Sequence, residues 1–108
     1  MPDLLPLSYE PIRVGSYHDP INLTLKRLGV LETLTGASVA FRMVREADGL
    51  EKVNWQPGSV PSTGILRYDF APTDVDTAGL YLCYWRVTYS DTKPWISPEI
   101  LLEIQPVR

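Results

Sequence analysis

Apolar and polar residues alternate most strictly between Leu80 and Ser90. Tyr81, Cys83, Trp85, Val87 and Tyr89 fall on one side of an extended chain there, and Leu80, Leu82, Tyr84, Arg86 and Thr88 on the other. A face so rich in large side chains predicts a central strand with one side in the core. The preceding Asp76-Thr77-Ala78-Gly79 combines Asx-turn chemistry with a glycine free to take positive φ, so the chain is expected to turn a corner and enter the sheet at Leu80.

The same alternation recurs in weaker form along the chain. Ile12 to Tyr17 reads as a short first strand and His18-Asp19-Pro20 as a turn. Ile21, Leu23 and Leu25 alternate with Asn22, Thr24 and Lys26 in a second strand. Leu28 to Gly36 reads as an apolar connecting segment, a helical turn or a loop folded over one end of the domain. Val39, Phe41 and Met43 point inward from a strand over Ala37 to Arg45, and Asp48-Gly49 sits at a hairpin tip. Val53 and Trp55 mark a further strand ended by Pro57-Gly58, and Ser59 to Thr63 reads as a polar loop. In the strand from Ile65 to Phe70, Leu66, Tyr68 and Phe70 share a face. Ser90 to Lys93 forms a turn, Pro94 to Pro98 reads as irregular, and Ile100, Leu102 and Ile104 complete a last strand before Pro106. About seven to eight strands separated by turn signals predict an all-β fold, an antiparallel β-sandwich. The tyrosine two residues before Cys83, at a strand entrance, fits the tyrosine corner of immunoglobulin-like sandwiches, with Asp76, Gly79, Tyr81, Cys83 and Trp85 as the fold-determining residues.

Residues 1–11 break this pattern. Pro2, Pro6 and Pro11 surround Leu4, Leu5, Leu7 and Tyr9, a spacing that blocks helix and central strand and predicts an extended N-terminal arm ahead of a domain over residues 12–108. The arm is expected to pack along its own domain, to fray, or to dock its leucines on a neighbouring subunit.

Size and charge narrow the function classes. A chain of 108 residues matches one domain able to bury its own core. Thirteen acidic residues against ten basic ones, the latter scattered, leave no basic stripe for nucleic acid. No window nears the roughly 18 apolar residues of a membrane helix, and the first residues lack the charged and apolar regions of a secretion signal. Cys83 is the single cysteine, so the intersheet disulfide of antibody domains cannot form within the chain, and the residue reads as a small buried hydrophobe.

Candidate chemistry is sparse. The single histidine, His18, has no spaced partner for a triad or a zinc site and reads as a turn residue. Asp74-x-Asp76 could open a calcium site, but capping of the corner's backbone N–H groups is favoured. The reading assigns no catalytic, cofactor-binding or metal-binding residues, no cofactor and no enzymatic activity. What remains is contact chemistry. The interface candidates are Leu4, Leu5, Leu7 and Tyr9 on the arm, Leu82 and Tyr84 on the outward face of the central strand, and Trp95 in the irregular segment.

Four segments carry a resemblance. Leu-Thr-Gly-Ala-Ser-Val-Ala-Phe-Arg-Met (Leu34 to Met43) follows the strand ending Ile-Asn-Leu-Thr-Leu-Lys-Arg. Gly-Ile-Leu-Arg-Tyr-Asp-Phe (Gly64 to Phe70) and the corner and strand from Asp76 to Asp91 come after it. In this order they resemble the immunoglobulin-like N-terminal domain of phage baseplate upper proteins, over roughly Ile12 to Ile104. Gly36, Val39 and Phe41 match the family's earlier strand, and Asp76, Gly79 and Tyr81 its corner; no ligand residue is carried over. The resemblance implies a structural protein of a tailed-bacteriophage virion, in tail, baseplate, neck or capsid. It would be assembled in the host cytoplasm from many copies with other virion proteins, with no nucleic acid or membrane bound. The alternative is a host-surface or glycan-recognition module whose end loops use Trp55 and Trp95 as anchors.

Overall fold

The computed structural model describes residues 7–17, 20–90 and 92–106. Leu4, Leu5, His18 and Asp91 lie outside the described residues. The chain is an all-β sandwich, in keeping with an immunoglobulin-like fold. Its strands are β1 (Ile12–Arg13), β2 (Ile21–Thr24), β3 (Lys26–Arg27), β4 (Val30–Leu31), β5 (Ser38–Arg45), β6 (Glu51–Pro57), β7 (Ser59–Ser62), β8 (Ile65–Tyr68), β9 (Gly79–Thr88), β10 (Pro94–Ile96) and β11 (Ile100–Gln105), with a 3-10 turn over Pro72–Val75.

One sheet runs in the order β1-β11-β9-β5-β6, with β10 also paired to β9, and the other in the order β2-β8-β7. The expected central strand, β9, does occupy the middle of the larger sheet. Its residues 81–88 pair with β5, while β11 and β10 share its opposite side. Tyr81, Cys83, Trp85 and Val87 are fully buried between the sheets. Phe41 links the layers, with its ring centroid 4.8 Å from both Tyr68 and Trp85. Such tilted and offset ring pairs add roughly 0.5–1.5 kcal/mol each beyond area burial.

The corner before β9 closes as the tyrosine pattern predicts: Tyr81 Oη donates to the carbonyl of Thr77 at 2.8 Å. Its two aspartates behave differently. Asp74 is buried, and its Oδ2 accepts from the backbone N–H of Ala71 at 2.8 Å and from Tyr68 Oη at 2.7 Å. Asp76 turns outward instead, accepting from Lys52 Nζ and from Thr77 Oγ1. Lys52 thereby holds its carboxyl below the usual range. Of the two caps expected, only Asp74 serves as one.

Of the three courses open to the arm, its described part takes the first and packs along its own domain. From Leu7 onward it runs parallel to β11, with Leu101 N–H bonded to Leu7 O, Tyr9 N–H to Leu101 O and Val14 N–H to Gln105 O. Leu7 keeps an exposed side chain, but Tyr9 is taken into the fold, its hydroxyl accepting from Trp85 Nε1 at 2.8 Å. Tyr9 is therefore engaged within its own domain rather than offered to a neighbouring subunit, whereas the Leu7 side chain stays at the surface. Pro11 is tolerated because an edge strand has one row of N–H groups that no neighbour needs.

Three further segments differ from the sequence reading. Lys26 to Leu31 is a hairpin whose tip, Leu28-Gly29, has positive φ at both residues (53° and 79°), the requirement of a type I′ turn. Ser59–Ser62 is an edge strand rather than a loop, and Pro94–Ile96 pairs with β9 rather than being irregular. Trp95 consequently lies opposite Val87 and packs on the core.

Candidate functional site: the outer face of the larger sheet

Alternation along β9 sends every second side chain out of the sandwich, and strand register decides which of them meet. Leu82 lies opposite Leu101 of β11 on one side and Val44 of β5 on the other, so three aliphatic residues form a row across the sheet. Leu80, next along β9, and Leu101 are exposed. Of the sequence candidates, Leu82 and Tyr84 thus share a face, whereas Trp95 and Tyr9 do not belong to it.

The neighbouring row is polar and tied together. Tyr84 lies opposite Arg42, whose guanidinium carbon sits 5.4 Å from the ring centroid. Arg42 Nε donates to Glu51 Oε2 at 3.0 Å, and Tyr84 Oη to Glu99 Oε1 at 3.1 Å. Partial burial is the main reason that the Tyr84 hydroxyl is pushed above its ordinary pKa, with the bond to Glu99 adding to it. Beyond this row, Arg86 stacks on Trp55 at 4.6 Å, a geometry worth roughly 0.5–1 kcal/mol at exposed sites.

Trp55 reaches this face through a bulge. Between the pairs Met43–Val53 and Phe41–Gln56, β5 has one residue, Arg42, and β6 has two, Asn54 and Trp55. The extra residue shifts the alternation by one, and Trp55 takes it up at φ 48°. Val53 is buried, so without the bulge Trp55 would point into the core as well. Sequence reasoning put Arg86 on the same strand face as Leu82 and Tyr84 but did not bring Trp55, Arg42, Val44 and Leu101 to that surface. Parity along β9 was the available signal for Arg86, register across the sheet brings in Arg42, Val44 and Leu101, and at Trp55 the bulge reverses parity.

Elsewhere the polar groups are committed to structure. Asp74 and Asp76 are engaged by different partners, so they do not converge on a shared cation. Among the described residues no three His, Cys, Asp or Glu side chains gather closely enough to hold a metal ion. Cys83 is buried, and desolvation pushes its thiol well above the usual range. A cleft of about 380 Å³ opens between the arm and β2, lined by Tyr9 to Ile12, Pro20 to Asn22, Phe70 and Leu102.

No family model matches the chain, and no curated protein does. Among solved structures it is similar to CopC from Methylosinus trichosporium OB3b, with a TM-score of 0.58 and 15% identity, over 94% of this chain and 87% of that one. At that identity the likeness shows the fold alone. The expectation of a virion structural protein located in a phage particle is corrected by this finding, since the solved structure that the fold matches is CopC and not a phage protein. The alternative reading fares no better. Trp55 lies in β6 and Trp95 in β10, so neither anchors an end loop. The physical reason is that the quoted motifs determine fold. The corner Tyr81, Gly79 and the inward strand residues specify a sandwich, and a sandwich of this shape occurs outside phage particles.

Proposed function

We propose that the chain is a non-catalytic protein-docking module that works through the outer face of its larger sheet. The observation that carries this reading is the registered row Leu101–Leu82–Val44 facing solvent, with the Trp55–Arg86 stack on the same face beyond the Tyr84–Arg42 row. Aromatic and arginine side chains beside an aliphatic centre are the composition that concentrates binding energy at protein interfaces. The contacts Glu51–Arg42 and Tyr84–Glu99 hold the polar row in place before a partner arrives, which lowers the ordering cost of association. The committed state of Asp74, Asp76 and Cys83 supports a role without chemistry at these groups.

A photo-reactive benzoylphenylalanine in place of Leu82 tests this in cells expressing the full chain. The expected result is one discrete adduct that disappears with Arg86→Ala, and none from the same probe in place of Arg67 on the smaller sheet. No adduct at position 82, or equal adducts at both positions, would refute the assignment.

A further inference from the structure

The smaller sheet ends at β2, and this edge differs from the others. β6 carries the Trp55 bulge and ends at Pro57, β7 contains Pro61, β10 begins at Pro94, and the arm contains Pro11. Prolines and bulges of this kind block further strand pairing. β2, Ile21–Thr24, has neither within it. Leu25 N–H bonds to Gly64 O at 2.7 Å, so Ile21 and Leu23, of the same parity, direct their backbone groups at β8. The N–H and C=O groups of Asn22 and Thr24 therefore face outward along an open edge.

Both ends of β2 carry features that fit one another. At its start, Pro20 to Asn22 form one wall of the cleft whose apolar floor is Phe70 and Leu102 and whose rim includes Glu10. Past its end, the β3–β4 hairpin projects Leu28 (91% exposed) and Val30 (68% exposed), with Lys26 at its base. Neither Glu10 nor Lys26 has an oppositely charged partner among the described residues.

We infer that β2 is the contact edge for a second copy of this chain. Two β2 strands pair antiparallel about a two-fold axis through Leu23. Asn22 of each copy exchanges both backbone bonds with Thr24 of the other, and Leu23 faces Leu23. The sheet β7-β8-β2 then continues into β2-β8-β7 of the second copy. The same axis sets Lys26 of the second copy opposite Pro20, beside Glu10, and carries its apolar hairpin toward the cleft. Because the operation is two-fold, the charge pair and the hairpin-to-cleft contact each form twice, and the assembly closes as a dimer. A second copy is preferred to an unrelated strand because the open backbone groups, the apolar knob with its hollow, and the unpaired acid with the unpaired base all occur on this one chain. This surface is separate from the outer face of the larger sheet and does not rest on the function proposed for it.

Sedimentation velocity of the full chain, from micromolar to sub-millimolar concentration, provides the test. The expected result is a monomer–dimer equilibrium in which the amides of Asn22 and Thr24 gain exchange protection as the dimer forms. Glu10→Lys and Lys26→Glu each weaken association roughly tenfold, since each removes two rim ion pairs per dimer, and the double variant restores it. Val30→Glu abolishes the dimer. All these side chains are exposed, so circular dichroism of the variants should match the wild type. A monomer at every concentration would overturn the inference. So would a dimer that survives Val30→Glu with the Asn22 and Thr24 amides unprotected, or a charge-swapped double variant as weak as either single one.

Discussion

Tyr9→Phe isolates the bond that ties the arm to the core. The substitution keeps the ring that packs on the core and deletes only the hydroxyl, which accepts from Trp85 Nε1 at 2.8 Å. Trp85 is fully buried, so its indole N–H has no water to turn to when the acceptor is lost. An orphaned buried donor costs about 1–3 kcal/mol, against about 0.5–1.5 for a hydrogen bond lost where water can replace it. A cost of about 1.5 kcal/mol lowers the melting temperature of a domain this size by roughly 6–12 °C. Calorimetry gives the shift, and urea unfolding followed by tryptophan emission gives the free energy. Tyr84→Phe, which loses a bond on the exposed face, is the control and should stay within about 0.5 kcal/mol of wild type. If Tyr9→Phe matches this control, the arm is not held by that bond, and its backbone pairing with β11 alone keeps it in place.

Three more measurements probe other parts of the fold. Ser97 supplies an Oγ that accepts from Trp85 N–H at 2.9 Å and an N–H that donates to Trp85 O at 2.8 Å. Ser97→Ala should therefore destabilise by about 1–3 kcal/mol in urea titration through the orphaned N–H. Gly64 sits at φ 75°, and a Cβ there would meet Leu25 O at 2.9 Å and Leu31 side-chain atoms at 3.0 Å. Gly64→Ala should cost more than about 1 kcal/mol, with hydrogen exchange quickening first at Leu25 and Glu32. Bonding to Arg45, chiefly, lowers the Asp48 carboxyl from 3.8 to about 2. A depressed carboxylate adds stability above its unfolded pKa and loses it as pH falls through the folded one. The melting temperature should accordingly decline between about pH 4 and pH 2, less steeply in Asp48→Asn.

The parts of the fold legible in the sequence are those where one physical rule dominates. Tyr81, Cys83, Trp85 and Val87 had to point the same way because a strand alternates, and their bulk made that way the core. The tyrosine corner was legible because it needs only a local turn and one hydroxyl. The arm was legible only as extended chain with packing along its own domain as one course, because its parallel pairing with β11 depends on a strand some ninety residues away. The hairpin at Leu28-Gly29 escaped because the usual Asn-Gly signal of a type I′ turn is replaced by a leucine at φ 53°. Of the outer face, Leu82 and Tyr84 could be placed by parity, but Val44 and Leu101 join them only through register, and register follows from the whole sheet. The assignment to a phage particle failed for a related reason: residues that determine a sandwich say little about what the sandwich touches.

The parallel pairing of the arm with β11 also orders events during synthesis. Tyr9 precedes its partner Leu101 by some ninety residues, and the ribosome reaches the second only after that stretch. At about 5–20 residues per second the ribosome takes roughly five to twenty seconds to cover that distance. Throughout that interval the indole nitrogen of Trp85 and the tyrosine hydroxyl cannot be locked together by a completed sheet. The nascent chain therefore carries its proline-bearing arm unzipped until the closing strand emerges, and a chaperone that binds extended apolar segments has that window in which to act.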